Sequence, residues 1–153
     1  MKKSFTLLEL IFVVIIVIIL SSVLLNTVFF QSIDKSNIAK IKSEVFLIRT
    51  VINQNYHQKI VSKQENKYIN VLDLSPNNIE KQYLFTGTKT EPLLEKIILS
   101  SSSSLKKDAR WIKTAKNTYM LVIKGVSVVF TYNKNTGIFS CNYDKKLCKE
   151  LSE

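Results

Sequence analysis

Three groups of residues in this chain are of types that can do chemistry. Glu9 is a carboxylate set in an apolar run: residues 10–20 are all apolar, and the run resumes through 23–25 and 28–30. Phe5 stands four residues before Glu9, on the same face of a helix. Cleavage of the Ser4–Phe5 bond would create an α-amino group there, able to pair with a carboxylate of a neighbouring copy. Cys141 and Cys148 can close a short loop as a disulfide or stand as two free thiols. Lys106, Lys107, Arg110, Lys113 and Lys116 surround Trp111 in sequence. Cations beside an aromatic can neutralise phosphates and stack on a base; the competing expectation is a solvated loop whose Trp111 packs in the core.

Catalytic sets are missing from the sequence. There is no glycine-rich phosphate loop, no nucleophile motif and no histidine pair. His57, the single histidine, lies in a polar stretch and is given no role. Asp73, Asp108 and Asp144 are scattered. Asp144, inside the cysteine loop, is one acidic residue where a calcium site needs several. No catalytic residue, metal or cofactor is therefore expected, and the chain is not read as an enzyme. The 22 basic against 12 acidic residues, a formal +10, permit binding to nucleic acid or an anionic surface. A coding bias toward lysine, isoleucine and asparagine gives the same excess.

The element that must position Glu9 is a membrane helix. Residues 5–30 contain no Gly or Pro and exceed the roughly 20 apolar residues that span a bilayer. A cleaved secretory signal has a shorter apolar region, about 7–15 residues, followed by a small-x-small site. The only small pair here, Ser21-Ser22, lies inside the run, so a retained anchor is expected. Lys2 and Lys3 at one end, with no charge but Glu9 until Asp34 at the other, place the N-terminus in the cytoplasm. A carboxylate deep in a spanning helix costs roughly 2.5–3.5 kcal/mol, and less near the interface. Glu9 is thus either a charge tolerated at the cytoplasmic edge or one kept to meet a positive partner within the membrane.

At Phe5-Thr6-Leu7-Leu8-Glu9-Leu10 the chain resembles the type IV pilin and pseudopilin superfamily. That family has a short basic leader ending in a small residue, a mature chain beginning with phenylalanine, and glutamate as its fifth residue. The resemblance covers the first 30 residues clearly. It implies cleavage after Ser4 by a prepilin peptidase, N-methylation of Phe5, and assembly into a helical filament in which Glu9 neutralises the N-terminus of an adjacent subunit. It also implies other pilin-like subunits and an assembly-platform membrane protein as partners. Two departures stand out: Ser4 replaces the usual glycine, and the proline that many members carry near the outer end of the apolar segment is absent.

Beyond residue 30 the pattern turns amphipathic. Ile38, Ile41, Val45, Ile48 and Ile52 recur at three and four residues, one face of a helix. The simplest expectation is one continuous helix over residues 5–56, about 75–80 Å long. The alternative is a membrane helix and a separate core helix joined near residues 31–36. Residues 56–67 are polar and predict the helix end and a loop. Residues 68–74 alternate weakly as a short strand, and Pro76-Asn77-Asn78 is a turn. Residues 91–99, with Pro92 in the first turn, predict a short helix. The five serines at 100–104 predict a flexible connector. The last third predicts antiparallel strands at 111–113, 119–123, 126–132 and 138–142, with turns at 115–117, Lys124-Gly125 and 133–137. The helical stripe is the natural cover for that sheet.

The expected fold is therefore α+β and pilin-like: a long N-terminal helix, its first half transmembrane, packed on a C-terminal antiparallel sheet. The expected segments are a leader over 1–4, a transmembrane helix over 5–30 and a periplasmic domain over 31–153. The expected function is that of a minor pilin or pseudopilin in the filament of a type II secretion or DNA-uptake system, held in the bacterial inner membrane. The alternative is a monomeric, membrane-anchored periplasmic domain that binds DNA through its basic surface.

Overall fold

The computed structural model describes residues 7–24, 30–105 and 107–153. The chain divides into two compact units, residues 1–36 and 37–153. In the first, α1 runs over Leu7–Leu24. The second helix, α2, covers Phe30–Val61, and the boundary between the units falls within it. The single helix expected over residues 5–56 is thus described as two, and the stretch 25–29 between them lies outside the described residues.

In the second unit, α2 buries one stripe. Ile41, Val45, Ile48 and Ile52 are buried, and Ile38 packs partly buried against them. The helix runs past the expected end near Tyr56 to Val61. Its stop is a backbone device. Lys63 takes a left-handed conformation at φ 53°. Its N–H donates to the Ile60 carbonyl, and the Gln64 N–H donates to Lys59, both at 3.0 Å. This is the Schellman arrangement, made here without the usual glycine.

The sheet has four antiparallel strands in chain order: β3 (Trp111–Ala115), β4 (Thr118–Ile123), β5 (Val126–Asn133) and β6 (Ile138–Cys141). All four strands and all three turns fall where hydrophobic alternation and turn residues place them. Lys124 and Gly125, at φ 52° and 72°, make the two-residue turn between Ile123 and Val126. Positive φ at both central positions matches the twist of the flanking strands. Val128, Phe130 and Tyr132 of β5 point inward; Val126, on the same face by strand alternation, is half exposed. The inward residues form one core with the α2 stripe. At its centre are Phe85, Trp111, Tyr119, Phe130 and Phe139, with neighbouring ring centroids 4.4–6.2 Å apart. Offset and edge-on aromatic pairs add stability beyond their buried area.

The middle of the chain departs from its expected form. Residues 68–74 make no strand; Asp73 forms a single bridge to Gly87. Residues 91–99 make no helix. The N–H groups of Leu93 and Leu94 donate to the carbonyls of Thr86 and Phe85, and a two-stranded sheet pairs β1 (Tyr83–Leu84) with β2 (Ile98–Leu99). Gly87 is the hinge of this region, at φ 74°, and a Cβ there would run into the Glu91 carbonyl. The serines are no connector either: Ser100, Ser101 and Ser102 are buried. The Ser100 hydroxyl donates to Ile79 O at 2.6 Å and accepts from the Gln82 N–H at 2.9 Å.

A disulfide joins Cys141 at the end of β6 to Cys148 in α3 (Lys146–Ser152), with Cα atoms 5.9 Å apart. Arg49 of α2 fastens the same corner. Its Nε donates to Phe139 O at 3.0 Å, and its Nη atoms donate to Ser152 O at 3.2 Å and Ser152 Oγ at 3.3 Å.

Candidate functional site

Two arrangements carry polar groups where their surroundings make them consequential. The first is α1. Its described side chains are exposed on every side, and Glu9 lies in the first turn. A helix that is apolar all round has no solvent face and needs an apolar environment. Within it the Ser22 hydroxyl donates back to Ile19 O at 2.8 Å, so this polar group needs no water. Glu9 sits at the end where the helix dipole favours a negative charge. Ser4 and Phe5 lie outside the described residues. Among the described residues no helix is long and apolar enough to cross a membrane. The 18 residues of α1 reach about 27 Å, against a hydrocarbon core about 30 Å thick.

The second arrangement is a buried knot between β3, β4 and the segment before β1. Asp73 is wholly buried and Lys113 is 5% exposed. The Lys113 ammonium donates to Asp73 Oδ1 at 2.7 Å, Asp73 O at 3.1 Å and Ser75 O at 2.6 Å. The Ser75 N–H donates to Oδ1 at 2.9 Å. The other carboxylate oxygen, Oδ2, accepts from the Tyr119 hydroxyl at 2.5 Å and from the Phe85 N–H at 3.3 Å. Burial pushes the Tyr119 phenol well above its ordinary range, and the neighbouring Asp73 charge and hydrogen bond add to the rise. The phenol therefore stays protonated and donates. Every polar atom of the carboxylate and ammonium has a partner, as burial of charge requires.

The basic set does not come together on one surface. Trp111 is 1% exposed, its ring in the aromatic core and its Nε1 donating to Glu44 Oε2 at 2.7 Å. An indole so placed cannot stack on a base. Lys113 points into the knot. Lys107, Arg110 and Lys116 are exposed, and Lys107 faces Glu80 at 3.6 Å. Lys106 lies outside the described residues. Of the six residues proposed for nucleic acid, Trp111 and Lys113 are thus structural, because their strand turns them inward. His57, Asp108 and Asp144 are exposed. Among the described residues no group of three or more His, Cys, Asp or Glu side chains is placed to hold a metal ion.

Several polar residues that hold the fold are silent in the sequence. Asn117 sits in the β3–β4 turn at φ 60° and is buried. Its Oδ1 accepts from the Leu72 N–H and its Nδ2 donates to Asn70 O, both at 3.0 Å. That clip brings Asp73 to the sheet. Lys59, also buried, pairs with Glu91 and donates to Tyr68 O at 3.3 Å. The available signal was weak: Asn117 is a turn residue, and Lys113 follows two apolar residues on a strand.

Comparison with known proteins finds no match to this chain among family models, curated proteins or solved structures.

Proposed function

We propose that this chain is a pilin-like structural subunit, a minor pilin or pseudopilin, in a periplasmic filament of a type II secretion or DNA-uptake machine. Residues 1–4 are the leader, and a prepilin peptidase cuts after Ser4. Residues 5–30 then anchor the mature chain once through the inner membrane, with the N-terminus cytoplasmic and the globular unit periplasmic. Glu9 neutralises the α-amino group of Phe5 on an adjacent subunit. The observation that carries this reading is an apolar helix with a single carboxylate, placed fifth in a chain that starts at Phe5. The α+β unit supports it: a helix lays an apolar stripe on an antiparallel sheet, and a disulfide closes the C-terminal end.

The function follows from electrostatics. A carboxylate and an ammonium that meet away from water attract far more strongly than in water. Such a pair can set the stagger between neighbouring helices that apolar contacts alone leave free to slide. Glu9→Val is therefore expected to be inserted and processed normally yet to leave the filament fraction, read by shearing and pelleting native filaments together with partner subunits. Normal co-assembly of processed Glu9→Val would remove this role.

A further inference from the structure

The knot around Asp73 contains more than an ion pair needs. Lys40–Glu44, Lys107–Glu80 and Lys59–Glu91 all leave their carboxylates partly open to solvent. A carboxylate open to water is not shielded from the hydrolysis that reverses condensation. In Lys113–Asp73 the carboxylate is wholly buried and the ammonium nearly so. Its two oxygens are also served differently. Oδ2 faces two donors, the Tyr119 hydroxyl and the Phe85 N–H. Oδ1 faces the amine and the Ser75 N–H. One oxygen is placed as an oxyanion is in acyl transfer, and the other as a leaving group.

We propose that Lys113 and Asp73 are joined by an isopeptide bond that the folded chain makes by itself. The step begins as one ammonium proton passes to Oδ1 along the 2.7 Å hydrogen bond. The amine keeps two N–H bonds on the carbonyls of Asp73 and Ser75, which leaves its lone pair on the side of the carboxyl group. Nζ adds to Cγ, and the C=O electron pair moves onto Oδ2. Tyr119 and the Phe85 N–H stabilise that oxyanion. The pair returns to reform C=O at Oδ2 as the Cγ–Oδ1 bond breaks, and a second proton passes from the nitrogen to Oδ1. One ammonium and one carboxylate become one amide and one water. No oxidant, reductant or activated donor is required. Condensation is unfavourable between free groups in water. Here the partners are held in contact, which replaces a bimolecular encounter, and the site excludes the water that would reverse the step. Tyr119 touches the reacting carboxyl oxygen and is the catalytic residue.

The link would tie β3 to the segment before β1 across 40 residues of sequence. It is independent of the filament reading, since neither cleavage after Ser4 nor the role of Glu9 bears on it. The test is peptide mass spectrometry of the full chain, purified in detergent, denatured, reduced and digested with trypsin. Trypsin does not cut after an acylated lysine. The expected product is therefore a branched peptide of residues 68–81 and 111–116, lighter than the sum of its parts by one water. Recovery of residues 68–81 and 111–113 as linear peptides only would overturn the proposal. Tyr119→Phe keeps the ring and removes the donor, and is expected to lose the branched peptide. A branched peptide at the wild-type level in Tyr119→Phe would overturn the role given to Tyr119.

Discussion

Lys113 holds Asp73 inside the protein, first as its ion-pair partner and then through the proposed isopeptide bond. Replacing Lys113 by methionine keeps the length of the stem and removes the cation, leaving a buried carboxylate with neutral donors alone. Breaking a buried pair in this way costs about 3–5 kcal/mol, so denaturant unfolding of Lys113→Met in detergent is expected to shift by that much. A loss under 1 kcal/mol would mean the carboxylate is not buried as described. The tyrosines give a pH signature. Burial pushes the Tyr132 phenol up to about 12, opposed in part by its hydrogen bond to Ile69, and Tyr119 is raised further. Both folded values lie above the unfolded value of 10.0. The unfolded chain therefore gives up these protons first. Their contribution is complete below pH 10 and is lost as pH climbs from about 10 toward 12 and beyond. Tyrosinate absorbance followed beside circular dichroism should show two of the six tyrosines ionising only as the fold is lost. The sequence concealed this site because the partners of Asp73 are 40 and 46 residues away, and local spacing carries no information at that range.

At the scale of elements, α2 and the sheet were readable because each repeats its own period. Apolar residues at three and four positions mark a helix, and alternation marks a half-buried strand. The burial of α2 then makes a sharp contrast between neighbours. Ile48 is buried in the core, whereas Phe46 is 73% exposed. Ile48→Ala is expected to cost about 2–5 kcal/mol, and Phe46→Ala to stay within about 0.5 kcal/mol. Equal losses in thermal or denaturant unfolding would contradict the placement of the stripe. The middle third was misread for a physical reason. Leu93, Leu94, Ile97 and Ile98 have helical spacing, but Leu93 and Leu94 give their N–H groups to Thr86 and Phe85. Long-range partners took the donors that a helix would have used. The same holds at residues 68–74, where the Asn117 side chain takes the place of a neighbouring strand. Serine runs in solvent are flexible, but Ser100 meets a carbonyl and an N–H that fix it. The overrun of α2 to Val61 was hidden because Lys63, not a glycine, takes the left-handed position that stops it.

At the scale of the whole molecule, the α+β unit and the N-terminal motif answer different questions. The unit explains how residues 37–153 hold together: an aromatic core, the buried knot around Asp73 and a C-terminal corner fastened by Cys141–Cys148 and Arg49. Lys107, Arg110 and Lys116 are exposed, but the Trp111 beside them in sequence is buried. The motif at Ser4, Phe5 and Glu9 supplies the proposed task, and it was legible because its chemistry lies within a few consecutive residues. In the proposed filament subunit the mature protein begins at Phe5. The measurement that tests it most directly is intact-mass and N-terminal peptide spectrometry on protein taken from its native membrane. The expected chain starts at N-methylated Phe5, with residues 1–4 absent. A chain still carrying Met1 to Ser4 in cells with an active prepilin peptidase would contradict it, and would leave residues 5–30 as an ordinary anchor for the globular unit.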